Sequence, residues 1–238
     1  EQAFGAWSGR GAAAPLARPA PQRARTEIVL VHRPGSVQSN IIVGNTTWMP
    51  TDTRGYALAV ANQILGGASD ARLFQILREQ RGWTYGAYSD ISRARGIGTF
   101  TATAEVRTDV TDSALVELLK QVRRMGSEPV PAAEFERQRQ TMVGRFPLQV
   151  ETPAQVAAQL ANARLLGLPV DYVQTYRQRI AAVTPEQAQA AARSGMRPDA
   201  ALVVVVGDGP ALRERLARIA PVTMVDVDGE PIVESATA

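Results

Sequence analysis

The chain has no cysteine and a single histidine, His32, among 238 residues. Without cysteine no disulfide can form, so the sequence neither requires nor excludes an oxidising compartment. Without a second histidine or any thiolate, neither a His/His nor a Cys/His zinc site can be assembled from the chain's own strong ligands, and no metal ligand is assigned. His32 ends the apolar run EIVLVH just before Arg33-Pro34-Gly35, where a strand should give way to a turn; its expected role is structural or solvated. Lysine is reduced to Lys120, and aromatic residues make up 5% of the chain. Arginine therefore carries almost all the positive charge, for a net +3, and it is scattered among Asp and Glu with no basic run and no aromatic platform. Nucleic acid is excluded as a partner on those grounds. No apolar run approaches the roughly eighteen residues a membrane-spanning helix needs, and no signal peptide is read at Glu1, which leaves open a signal in a portion that precedes it.

What is present is ample apolar material. With 45% hydrophobic residues the chain can bury a full core, as one large domain or two small ones. The first residues, EQAFGAWSG, read as the last helix of a preceding domain, and from Gly9 to Arg25 the composition turns to Gly, Ala, Pro and Arg, too poor in large apolar residues to fold. The expected division is 1–24 for the end of a preceding domain and a linker, and 25–238 for the domain proper, within a longer polypeptide.

Glu27 to His32 and Val37 to Trp48 read as strands. Arg54 to Leu65 reads as a helix, with Ala57, Val60, Ala61 and Ile64 on one face. A hairpin follows, Thr84 to Ser92 returning as Thr99 to Val106, in which Phe100, Ala102, Ala104 and Val106 alternate with Thr99, Thr101, Thr103 and Glu105. One covered and one wetter face is the consequence. Leu115, Leu118, Leu119 and Val122 stripe a helix from Thr111 to Met125, and Pro131 opens another. Thr152-Pro153-Ala154-Gln155 and Thr184-Pro185-Glu186-Gln187 are capping boxes with proline at the first helical position. A helix is expected over 171–182, a buried strand over Leu202 to Val206, and a turn at Asp208-Gly209-Pro210. The Val206-Gly-Asp-Gly segment lacks the Lys-Ser/Thr or GxGxxG context of a phosphate cradle, and the Asn45-Thr46-Thr47 sequon carries no weight by itself. Together these elements predict an α+β fold, helices packed on one face of a mainly antiparallel sheet.

The segment LGGASDARLFQILREQRGWTYGAYS, Leu65 to Ser89, carries the chain's best functional clue. A helix runs through Arg78 into a glycine turn and delivers Tyr85 onto a strand seven residues later. A guanidinium and a phenol held close together can grip a peptide carbonyl and stabilise an oxyanion. On spacing alone the same residues also read as a favourable helix end and an ordinary strand aromatic. Tyr88 competes for the role, but strict alternation points it away from Tyr85, so only one should face Arg78.

This segment, with HRPGSVQSNIIVG, GTFTATAEVRTDV, VGRFPLQVETPAQVAAQLA, VTPEQAQAAA and ALVVVVGD, resembles the second-half, non-metal domain of the insulinase/pitrilysin family of zinc peptidases over nearly the whole chain. The resemblance implies the two-layer insulinase/mitochondrial-processing-peptidase-like fold, with the open sheet face turned toward a homologous zinc-bearing half. That half would carry H-x-x-E-H, two histidines one helical turn apart with a glutamate base, which this chain lacks. Arg78 and Tyr85 then become the transition-state and substrate contacts, with Thr99 and Thr101 as further substrate-binding residues on the threonine face. The chain is expected to be inactive alone, with no cofactor of its own, zinc in the partner half and an extended peptide as substrate. The other reading is a noncatalytic peptide-binding or scaffold subunit paired with an active homologue. The resemblance points to the bacterial periplasm or cell envelope, while the sequence itself leaves the compartment open.

Overall fold

The computed structural model describes residues 5–6 and 22–232. The expected domain end and linker over 1–24 lies almost entirely outside the described residues.

Six strands form one sheet: β1 (Glu27–His32), β2 (Gln38–Thr47), β3 (Thr84–Ala94), β4 (Ile97–Arg107), β5 (Leu202–Gly207) and β6 (Val222–Val225). Their order is β3-β4-β2-β5-β1-β6. The pairs β3/β4, β4/β2 and β2/β5 are antiparallel, and β5/β1 and β1/β6 are parallel, so antiparallel pairing predominates as expected. The helices are α1 (Gly55–Gly66), α2 (Arg72–Phe74), α3 (Thr111–Ser127), α4 (Ala132–Arg145), α5 (Pro153–Leu165), α6 (Tyr172–Ala181), α7 (Pro185–Gly195) and α8 (Gly209–Ala217). β6 was not legible from the sequence, being four residues long and flanked by turns.

The core lies between the sheet and the helices. Ile28, Leu30, Ile41, Val43, Phe100, Ala102, Val106, Val203 and Val205 point to the helix side and are essentially inaccessible. They meet Leu58, Ile64 and Leu65 of α1, Leu115, Leu118 and Val122 of α3, and Ala188 and Ala192 of α7. Each of these helices offers apolar residues at three- and four-residue spacing because only that stripe can reach the sheet. Gly66 lets α1 close on the sheet margin: a Cβ there would stand 2.5 Å from the Ser89 nitrogen. Both capping boxes form as expected, Thr152 and Thr184 each bonding Gln155 and Gln187 reciprocally, which stabilises each helix start by about 1 kcal/mol. Arg72 clamps Glu134 through two bonds of 2.8 and 2.7 Å, tying α2 to α4.

One expectation is overturned. Asp208-Gly209-Pro210 is not a turn but the start of α8, with Asp208 at the N-cap, proline in the first turn, and Leu212 and Leu216 buried one turn apart. His32 belongs to this start. Its Nδ1 accepts the Gly209 N–H at 2.9 Å, so the chain's one imidazole satisfies a helix-end donor.

Among the described residues the other face of the sheet carries no helix. On it stand Val29, Val31, Val204 and Val206 of the parallel half, then Ile42, then Thr103, Thr101 and Thr99, in the order that register dictates. The unbroken valine run of β5 thus reflects two apolar faces, one buried against the helices and one half-buried among the described residues.

Candidate functional site

The local sequence builds the site in three steps. After α2 the helix widens into a π-helical stretch, Gln75–Gln80, which carries Arg78; such wide turns recur at functional positions. Gly82, at φ +61°, reverses the chain, and the Gly82 and Trp83 amides cap the preceding helix through the Arg78 and Leu77 carbonyls, both at 2.9 Å. Then β3 begins with a bulge. Thr84 pairs with Val106 and Ala87 with Ala104, so Tyr85 and Gly86 together oppose the single residue Glu105. The Thr84 hydroxyl brackets the bulge, accepting the Gly86 N–H at 3.1 Å and donating to the Gly86 carbonyl at 2.8 Å.

The extra residue resets the alternation, which corrects the expectation about the two tyrosines. Tyr85 lies on the side of Glu105, and Tyr88 pairs with Thr103 on that same open face. Both border one hollow of ≈ 570 Å³, with Asn40, Ile42, Thr103 and Glu105. Tyr85 is 84% exposed and its hydroxyl makes no hydrogen bond among the described residues. Tyr88 is 45% exposed, its ring tilted against Phe74 with centroids 5.7 Å apart.

Arg78 and Tyr85 are brought together, through the main chain. Arg78 Nη1 donates to the Tyr85 carbonyl, its Nε faces Glu79 Oε1 at 3.3 Å, and its guanidinium lies 5.0 Å over the Phe74 ring. Thr101 and Thr99 sit further along the same face, opposite Asp90 and Ser92, and outside the lining of the hollow. Thr99 lies four residues from Thr103, about 13 Å by strand rise. The four site residues therefore form a bracketed pair and a threonine track leading away from it. Thr103 and Glu105 were legible from the alternation of β4 as residues of this face, whereas Asn40 and Ile42 depend on the β2/β4 register and Phe74 on how the helix meets the sheet edge.

β3 is one of the two edge strands, and part of its margin is taken. Asn62 of α1 donates to the Ser89 carbonyl at 3.1 Å, as Arg78 does to that of Tyr85. The edge groups further along, toward Ile91 and Arg93, have no such helix partner among the described residues.

A hollow of ≈ 490 Å³ in the helix layer is lined by Arg54, Tyr56 and Arg179. Arg54 is engaged there by Asp52 at 2.6 Å, and Arg179 lies over Tyr56. Burial pushes the nearby Tyr176 phenol up to about 12, consistent with a packed ring against Phe146 at 4.5 Å. Among the described residues no three His, Cys, Asp or Glu side chains converge to hold a metal, and no helix is long and apolar enough to cross a membrane. His32, the chain's one imidazole, has its Nδ1 engaged by the Gly209 amide at the start of α8.

Residues 1–142 match the sequence model described as the peptidase M16 inactive domain. An uncharacterized zinc protease of Streptomyces coelicolor is 30% identical over 85% of this chain and 45% of its own length. The uncharacterized zinc protease YmxG of Bacillus subtilis is 27% identical over 88% of this chain and 50% of its own. The chain thus spans about half the length of the curated relatives it matches. In fold it is similar to the crystal structure of a peptidase M16 inactive domain from Pseudomonas fluorescens, with a TM-score of 0.73 and 23% identity, covering 79% of this chain and 45% of that one.

Proposed function

Because this chain belongs to the M16 peptidase family as its inactive domain, we propose that it is the substrate-binding and oxyanion-stabilising half of a zinc metallopeptidase that cleaves extended peptides. The zinc and the general base come from a homologous half, in the same polypeptide or in a partner subunit. The observation that carries this reading is the pair of Arg78 and Tyr85, locked to one bulge, with the phenol projecting unpartnered from the open face of the sheet.

Bound in the other half, zinc supplies Lewis-acid activation of water. The work of this chain is electrostatic and geometric. When water attacks a peptide carbonyl placed over the hollow, charge gathers on the carbonyl oxygen, and the Tyr85 O–H donates to it. The Arg78 guanidinium, steadied over Phe74, offers its remaining N–H groups to a neighbouring substrate carbonyl. The threonines of β4 provide hydroxyls along an extended peptide, and the outer positions of β3 accept it as an added strand. The half-buried valines of β1 and β5 on the same face, with the exposed Ile42 beside them, are the surface a second half covers, since a contiguous apolar patch of this kind marks an interaction site. A periplasmic or envelope location belongs to the same proposal, and subcellular fractionation tests it.

One observation favours the noncatalytic alternative: part of the Arg78 fork is already spent on the Tyr85 carbonyl and on Glu79. Reconstitution separates the two. This chain alone should hold no stoichiometric zinc by elemental analysis and cleave no fluorogenic peptide, while the assembly with its zinc-bearing half cleaves it. An assembly that binds zinc and peptide but cleaves nothing would make this a scaffold, and activity from this chain alone would overturn the split site.

A further inference from the structure

Five groups around the β3 bulge form a closed ring of contacts. The Tyr85 carbonyl takes a hydrogen bond from Arg78, the Arg78 guanidinium lies over Phe74, and Phe74 packs against the ring of Tyr88. Tyr88 in turn lies across Gly86, the residue after Tyr85: a Cβ on Gly86 would stand 2.7 Å from Tyr88 Cε2 and 3.3 Å from its Cζ and Oη. So close an approach exists only because residue 86 has no side chain. The Tyr88 hydroxyl makes no hydrogen bond among the described residues, so what connects Tyr88 to this ring of contacts is its aromatic face.

From this geometry we infer that Tyr88 is a positioning residue for Tyr85: its ring, seated on Gly86 and Phe74, fixes the bulge that aims the Tyr85 phenol and the platform that holds Arg78. The inference rests on the function proposed above. It makes the ring of Tyr88 essential and its hydroxyl dispensable. The physical reason is that a bulge interrupts the ladder: the Thr84 and Arg78 hydrogen bonds hold its main chain, and the Tyr88 ring on Gly86 adds the side-chain contact that fixes the direction of an 84% exposed tyrosine. Loss of orientation by about an ångström costs a donor most of its effect on a transition state.

The test uses the assembled two-half protein. Tyr88→Phe keeps the ring and should leave kcat and KM within about twofold. Tyr88→Ala should lower kcat on the order of tenfold to a hundredfold with KM little changed. In the Tyr85→Phe background Tyr88→Ala should add almost nothing, because no phenol is left to aim, whereas a general structural loss would multiply through. Gly86→Ala attacks the same contact from the backbone side and should reproduce the kcat loss, which covers the case that Tyr88→Ala does not fold. Replacing tyrosine with 3-fluorotyrosine gives a second readout independent of turnover: the Tyr85 ¹⁹F resonance, identified by its disappearance in Tyr85→Phe, should shift or broaden in Tyr88→Ala. An unmoved resonance, or a fully multiplicative double mutant, overturns the positioning role. A resonance that moves while Tyr85→Phe turns over normally leaves the positioning intact and sinks the catalytic reading instead.

Discussion

The two halves of the open sheet face are built from different chemistry. On the hairpin of β3 and β4 stand Tyr85, Tyr88, Asp90 and the threonines 99, 101 and 103; on β1 and β5 stand Val29, Val31, Val204 and Val206. Both halves rest on the same helix layer, and their covered sides are equally dry. The difference therefore arises from what each must meet on the far side. A threonine and tyrosine surface offers hydrogen bonds to a polar backbone without demanding that water leave, whereas a valine surface gains only by being covered. One half is suited to a ligand that comes and goes, the other to a neighbour that stays.

The contrast breaks most sharply on the hairpin side. Tyr85→Phe in the full assembly should lower kcat on the order of 10²–10³ with KM nearly unchanged, since the donor acts on charge present only in the transition state. Arg78→Ala should lower kcat and raise KM as well, because the guanidinium also meets the ground state. Steady-state kinetics on one fluorogenic peptide decides it, and a normal Tyr85→Phe enzyme would return the hairpin to a purely structural role.

On the parallel side the larger effect is on stability. Leu30→Ala, at a fully buried position of β1, should cost about 3 kcal/mol in urea unfolding while leaving turnover per folded molecule intact. Val204→Ala, on the opposite face of the neighbouring strand, sharpens the comparison. It should cost about 1 kcal/mol in this chain alone and more in the assembly, where a second half dries it. Equal costs in both would mean that the valine face stays uncovered.

Next in size is His32→Ala, which strands the Gly209 amide at the start of α8 and should cost about 1 kcal/mol by denaturant melt. The smallest effect lies where β4 leads into α3. Burial alone would raise the Asp112 carboxyl, but the Arg215 guanidinium from α8 and the backbone amides of Ser113 and Asp112 outweigh it and hold the carboxyl below its ordinary value. A carboxyl depressed in the folded state stabilises above its unfolded pKa and loses that contribution as pH falls through the folded one. The stability gap between wild type and Asp112→Asn should therefore narrow as pH drops from about 5 toward 3; a gap that widens on acidification would show that the pair does not act this way.

Much of the helix layer was legible because local rules sufficed. The stripe of α3 and the two Thr-Pro-x-Gln starts depend only on residues within a few positions of each other. The alternation of β4 likewise named its own two faces. What could not be read depends on distant partners or on one residue of slippage. Parallel pairing of β1 with β5 joins residues from opposite ends of the sequence, and nothing in either run announces direction. The bulge at Tyr85 and Gly86 leaves no composition signal, yet it decides that Tyr85 and Tyr88 share a side. Asp208-Gly209-Pro210 was ambiguous because the same residues that favour turns also favour helix starts. Arg78 and Tyr85 stood out through their spacing and resemblance, whereas Phe74 and Gly86 gained meaning only once the rings were in place.

The place of β5 in the sheet has a consequence in time. It is the fifth strand along the chain but lies between β1 and β2, which touch each other only through it. During synthesis β1 and β2 each emerge with no partner for the edge that β5 will join, and must wait until Leu202–Gly207 has been made. The hairpin, joined to β2, can assemble early from nearby residues, while the centre of the sheet closes only late, against the loop entropy of most of the chain at once, and β6 adds to the edge of β1 after it. Folding should accordingly be slow and all the slower for any lesion in β5, and a ribosome-stalled chain ending before Leu202 should hold the hairpin unit but leave β1 accessible to chaperones.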